Sequence, residues 1–171
     1  MGVFTARVHM QVYLLRHGIA ENGKPGSADS ARALVPEGKK KLKEVLGMAK
    51  SAGARPTLVL TSPFLRAMET AEIAVTVLGL KREDLVQSQS LLPTSGVADV
   101  WEEIRVYKDE TSLLLVGHEP LFGRLCAYLL GQPELLVDFK KGALARIDID
   151  SFGPRPHGVL RWFIPPKLAA E

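Results

Sequence analysis

The sequence predicts an α/β fold: a three-layer αβα sandwich on a mainly parallel sheet, with an antiparallel C-terminal edge hairpin. Three observations carry this expectation. Short apolar runs alternate with helix-length stretches along the chain. Three of the runs stop abruptly at polar motifs, as parallel strands do where they leave a sheet. The last two runs alternate apolar with polar residues around the turn formers Gly153 to Gly158, which reads as a hairpin in an edge position.

The elements follow in order. A buried strand over Gln11 to Arg16 is succeeded by Asn22 to Ser27, rich in turn formers and read as a connector beside the first motif rather than a gate. Pro36 opens a helix to Ser51, on which Lys39, Lys40, Lys41 and Lys43 form a solvated face rather than a nucleic-acid patch. Thr57 to Thr61 is the next strand, and Thr61-Ser62-Pro63 then signals a helix reaching Leu78. A strand over Leu85 to Ser90, a helix over Val97 to Lys108, a strand over Ser112 to Val116 and a helix over Leu121 to Leu130 complete the alternation. Ala143 to Asp150 and Val159 to Ile164 are the hairpin strands.

With 171 residues, 46% of them hydrophobic and only 24% charged, the chain can bury the core of one domain spanning 1–171, with residues 1–10, Arg7 and His9 among them, as a short extension. The net charge of +3 is spread along the sequence, so no basic arm points to nucleic acid. No apolar run reaches the length of a membrane span and no signal-peptide core is present. Cys126 stands alone among apolar neighbours, which predicts a buried thiol, no internal disulfide and a reducing cytoplasm.

Function is legible at the strand ends. Arg16 with His17, Ser62 with Arg66, and His118 all follow apolar strands, and in a parallel sheet they fall on one edge. Two arginines and two histidines beside helix N-termini describe an anion site, and the forked donors of arginine suit a phosphate. The histidines flank arginines rather than carboxylates, and no paired-cysteine or His-Glu-x-x-His spacing occurs, so neither metal nor cofactor is implied.

Leu14-Leu15-Arg16-His17-Gly18, Thr61-Ser62-Pro63-Phe64-Leu65-Arg66-Ala67-Met68-Glu69-Thr70-Ala71 and Val116-Gly117-His118-Glu119-Pro120, in that order, resemble the histidine phosphatase superfamily, also called phosphoglycerate mutase-like. Within it they are most similar to the short phosphohistidine phosphatases of the SixA type. Asp29 to Gly38 is similar to the segment that opens the first helix in these proteins. The resemblance implies a phosphatase that works through a covalent phosphohistidine, with His17 as the phosphorylated residue.

Position also favours His17 as nucleophile, since it follows a rigid strand, whereas His118 sits on a later loop. Its imidazole must be neutral to attack, and the charges of Arg16 and Arg66 should disfavour protonation. A backbone carbonyl accepting from Nδ1 would leave Nε2 free. Arg16, Arg66 and His118 would stabilise the transferring phosphoryl group; Ser62 either adds a hydroxyl or caps the following helix.

A general acid is harder to find. The superfamily's usual glutamate is missing from Leu91 to Asp99, where Asp99 more readily lines a helix. Glu21 is the remaining candidate, equally suited to an ion pair with a nearby arginine. Lacking a strong acid, the site should favour phosphohistidine over alkoxide esters. Little length remains for a lid, which disfavours mutase chemistry and predicts an open site for a phosphohistidine on a protein, such as a phosphotransfer domain. Small phosphate esters are the alternative substrates, and a phosphate-binding module without turnover is the non-enzymatic alternative.

Overall fold

The computed structural model describes residues 9–170. Six strands form one sheet: β1 (Met10–Arg16), β2 (Leu58–Thr61), β3 (Leu85–Gln87), β4 (Ser112–Gly117), β5 (Leu144–Ile149) and β6 (Val159–Ile164). Their spatial order is β3-β2-β4-β1-β5-β6. The first four run parallel, and β5 joins β1 antiparallel and carries β6 antiparallel beyond it.

Alternate residues of the central strands feed two apolar layers. On one face Tyr13, Leu15, Val59, Leu114 and Val116 pack beneath α1 (Pro36–Ser51) and α2 (Leu65–Leu78) through Leu42, Val45, Leu46, Ala67, Ala71 and Ala74. On the other, Val12, Leu14, Leu60, Leu113 and Leu115 meet α3 (Val97–Val106) and α4 (Leu121–Leu129) through Trp101, Ile104, Phe122 and Leu125. A short α5 (Pro166–Ala169) follows β6. The expected αβα sandwich is what the chain forms.

Helix α1 starts at Pro36, whose missing N–H costs nothing in the first turn. Helix α2 ends at Gly79, whose φ of 75° lets its N–H close back on the Val75 carbonyl. Gly38, inside α1, lies so close to Ile19 that an added Cβ would meet its carbonyl oxygen and sit 2.9 Å from its nitrogen. That approach holds α1 against the chain leaving β1.

Four expectations need correction. Met10 is fully buried in β1 and the His9 N–H donates to Ile149 O at 2.9 Å, so residues 9 and 10 belong to the sheet; Arg7 lies outside the described residues. Strand β3 stops at Gln87, because the Ser88 hydroxyl accepts from the Ser90 N–H and bends the chain into a 3-10 turn over Gln89–Leu91. Helix α2 begins two residues after Pro63, with Phe64 as its N-cap residue. Strand β5 is internal, between β1 and β6, so of the hairpin strands β6 alone is an edge. The alternation that suggested an edge comes from Arg146 and Asp148, where Asp148 is buried and accepts from Arg146 at 2.9 Å and Arg161 at 3.1 Å.

Candidate active site

Strands β1 and β4 lie side by side with Arg16 opposite Gly117, so their next residues, His17 and His118, emerge together at the carboxyl edge. The His17 N–H donates to Gly117 O at 2.9 Å, and the two imidazole centroids are 5.0 Å apart. Strand β2, on the other side of β4, delivers Ser62 to the same edge, and its N–H donates to Val116 O at 3.0 Å. Arg66, in the first turn of α2, completes the group. Arg16, His17, Ser62, Arg66 and His118 therefore converge, although they come from both halves of the chain.

The hydrogen bonds fix which ring nitrogens are available. His17 Nδ1 lies 2.8 Å from Gly18 O, and a carbonyl can only accept, so the proton sits on Nδ1 and Nε2 carries the lone pair. That lone pair faces Arg66, whose Nε donates to it at 3.3 Å. His118 Nε2 is 2.8 Å from Ser62 Oγ, which already accepts from the Phe64 N–H at 3.3 Å. With one proton and a second lone pair, the Ser62 hydroxyl can pair with His118 Nε2 in either tautomer of the ring. His118 Nδ1 is a buried atom with no hydrogen-bond partner among the described residues, which leaves it open to a ligand. The capping reading of Ser62 does not hold: Phe64 is the N-cap residue of α2 and no side chain caps it, so Ser62 Oγ closes a local turn onto the Phe64 N–H and meets His118 as a hydroxyl.

Both imidazoles are neutral at physiological pH. Burial chiefly drives the His17 pKa down to about 3, with His118, Arg66 and Arg16 adding to the shift against an opposing hydrogen bond to Gly18. Burial likewise lowers His118 to about 4, helped by Arg66 and Arg16 and opposed by Asp29. The arginines act in the expected direction, but desolvation is the larger cause.

Backbone and side-chain acceptors hold the two guanidinium groups. Arg16 Nη1 donates to Phe139 O at 2.7 Å, and its Nε is buried without a partner. Arg66 donates to Asp29 O at 2.8 Å and to Asp29 Oδ2 at 3.1 Å, and its guanidinium carbon lies 5.1 Å from the Phe64 ring centroid. Thr70, one turn further along α2, accepts from the Gly18 N–H at 3.2 Å and donates to Arg66 O at 2.7 Å, fastening the helix to the loop after β1.

Asp29, Thr70 and the Phe139 carbonyl escaped the sequence reading. Thr70 was within reach of it, since a residue four positions after Arg66 shares its helix face. Asp29 lay in a segment noted only for its resemblance, and nothing local singles out Phe139. Neither candidate acid joins the cluster. Glu21 is exposed, its backbone carbonyl accepts from Arg32 at 3.0 Å, and its carboxylate forms no ion pair among the described residues; Asp99 is exposed in the first turn of α3. The Glu119 carboxylate instead accepts from the Gly123 N–H in α4. The loop over Asn22 to Ser27 is exposed and closed on itself, Ser27 Oγ donating to Lys24 O at 2.8 Å.

Two neutral imidazoles between two arginines at the carboxyl edge of a parallel sheet define a histidine-based oxyanion site. Known proteins carry the same frame. The family model of the histidine phosphatase superfamily (branch 1) matches residues 12–87. The chain is 31% identical to phosphohistidine phosphatase SixA of Escherichia coli over 92% of its length and 94% of the relative's. It is 30% identical to the SixA homolog of Haemophilus influenzae, over 72% of this chain and 79% of that one. A solved structure of the protein histidine phosphatase SixA complexed with tungstate superposes with a TM-score of 0.83 at 29% identity, covering 92% of this chain and 98% of that one. The chain belongs to the histidine phosphatase superfamily, and within it to the SixA type.

Proposed function

We propose that this protein is a phosphohistidine phosphatase in which His17 is the nucleophile and Arg16, Arg66 and His118 bind the transferring phosphoryl group. One observation carries the assignment: a buried, neutral His17 whose Nδ1–H is held by Gly18 O, so that Nε2 presents a lone pair to the centre of a cationic cluster. A site that only held phosphate would gain more from a donor at that position. The SixA relatives, one of them complexed with tungstate, a tetrahedral oxyanion as phosphate is, support the same reading.

In the first half-reaction His17 Nε2 forms a bond to phosphorus as the P–N bond of the substrate breaks in line behind it. The electron pair of that bond leaves on the substrate's imidazole, which departs neutral when its other nitrogen is protonated. Arg66 Nε, which rests on His17 Nε2, turns to the equatorial oxygens together with Arg16 Nε and His118 Nδ1. Water then attacks the phosphohistidine formed on His17, releasing phosphate and restoring the imidazole. Among the described residues the carboxyl group that reaches the cluster is Asp29, which Arg66 and Arg32 hold ionised, so it is a poor proton donor to an alkoxide, which favours phosphohistidine over serine or sugar esters.

The substrate under this proposal is a phosphohistidine on a protein partner such as a phosphotransfer domain, with small phosphate esters as the second reading. A cytoplasmic setting suits the single thiol, Cys126, which is buried and raised by desolvation to about pKa 11. Among the described residues no helix is long and apolar enough to cross a membrane.

The deciding experiment compares kcat/KM on a histidine-phosphorylated protein, a phosphoserine peptide and a panel of small esters, with quenching to trap labelled enzyme. A preference for the phosphoprotein and a base-stable, acid-labile label that is lost in His17→Ala are expected. Preference for one small ester would overturn the substrate, and label persisting in His17→Ala would overturn the nucleophile.

A further inference from the structure

Beside Arg16 lies a cleft of about 440 Å³ lined by Ile19, Lys41, Lys140, Lys141, Pro165, Pro166 and Lys167. We propose that it docks an acidic surface segment of the phosphorylated partner, a proposal that rests on the reading above that the phosphohistidine is carried by a protein.

Three observations support this. The first is continuity with the site. Gly142 donates its N–H to both Arg16 O, at 3.1 Å, and His17 O, at 3.0 Å, so the turn bearing Lys140 and Lys141 is fixed to the end of the nucleophile's strand. Gly142 has φ of 78°, and a Cβ there would lie 3.3 Å from Pro166 Cγ, so the turn also abuts the wall formed by Pro165 and Pro166. Arg16, the neighbour of His17, itself lines the cleft, so cleft and phosphate cluster share a residue.

The second is charge. Among the described residues five cations line the cleft and no carboxylate does. Lys41 pairs with Glu37 at 2.8 Å and Lys140 with Asp138 at 3.1 Å, both exposed surface pairs of the kind that contribute little. Lys141 and Lys167 have no carboxylate partner among the described residues.

The third is shape. The ammonium groups come from α1, the turn before β5 and α5, spread around a floor of two prolines and Ile19. A compact phosphate needs convergent donors, as the catalytic cluster provides. Cations spaced along an apolar floor instead match successive Asp and Glu side chains with aliphatic stems between them.

The test uses the full chain and the double variant Lys141→Glu/Lys167→Glu, neither residue being part of the phosphate cluster. Substrates are a histidine-phosphorylated phosphotransfer domain, free phosphohistidine and an aryl phosphate. We expect kcat/KM on the phosphoprotein to fall about tenfold or more through KM, and its dependence on ionic strength to flatten, because rim charges act on encounter. Turnover of both small substrates should be unchanged, which also reports an intact fold. Unchanged turnover of the phosphoprotein, or an equal loss on all three substrates, would overturn the groove. So would a loss confined to binding of phosphatidylserine vesicles, which would make the cleft a lipid contact. If the wild-type protein hydrolyses the small substrates but not the phosphoprotein, the functional reading fails instead, and the proposal with it.

Discussion

Replacing His17 with Asn should make the protein less sensitive to acid. His17 and His118 are buried neutral, with pKa values depressed to about 3 and about 4, whereas in the unfolded chain they titrate near 6.5. Between these limits the unfolded state binds more protons than the native one, so the native state loses stability as pH falls. The contribution of each group is complete above the unfolded value and disappears towards the folded one. Integrating from about pH 7.5 to about pH 4.5, each imidazole costs about 2.5 kcal/mol and the pair about 5 kcal/mol, a large part of the stability of a domain. Urea titrations of both proteins at the two pH values give the quantity directly. The fall in unfolding free energy should be smaller in His17→Asn by about 2.5 kcal/mol. Carboxylates with lowered pKa, such as Asp29 and Glu37, also weaken the protein in acid, but they are common to both proteins and cancel. Equal acid sensitivity of the two proteins would refute the claim that His17 is held neutral by its surroundings.

Four other outcomes follow from the geometry. Arg66→Ala should lower turnover of an aryl phosphate by about a hundredfold or more, because it removes the donor facing His17 Nε2; a near-normal rate would reduce the second motif to a helix start. Ser62→Ala should remove the partner of His118 Nε2, cutting kcat by about tenfold, with the change at that nitrogen visible in nitrogen NMR of the ring. Gly38→Ala should destabilise the protein by about 2 to 4 kcal/mol, measured as a drop in Tm, since its Cβ would push against the backbone of Ile19. Activity should survive prolonged chelation, and restoration of lost activity by a divalent ion would refute the metal-free scheme.

The sequence disclosed the layers and the edge on which chemistry sits, because both depend on patterns within a few residues. Apolar runs of strand length show themselves, and an Arg-His-Gly or Gly-His-Glu-Pro at their ends is placed by the rule that parallel strands end on one side. What stayed hidden depends on distant partners. Asp148 resembled the solvent face of an edge strand because nothing local reveals that β6 lies beside it and brings Arg161 to pair with it from the surface. Asp29 resembled a loop carboxylate until the loop folded back over α2 to meet Arg66. The Phe139 carbonyl, a backbone group in an irregular segment, carries no side-chain signal at all. Glu21 suggests a general acid by its closeness to His17 in sequence and Asp99 by its place in the segment where the superfamily's glutamate usually falls, and the fold leaves both on the surface.

The strand order has a consequence for how the molecule comes into being. Strand β1 ends in the proposed nucleophile, yet its two neighbours are β4 and β5, both made after the stretch matched by the family model has been synthesised. Until they arrive, β1 has no hydrogen-bonding partner, and β1 and β2 flank a gap one strand wide. Contacts of such long sequence separation form late and close together. A nascent or truncated chain ending near Gln87 would hold Arg16, His17 and Arg66 but no partner strand for β1, so the proposed nucleophile is fixed in place only by the arrival of the chain's second half.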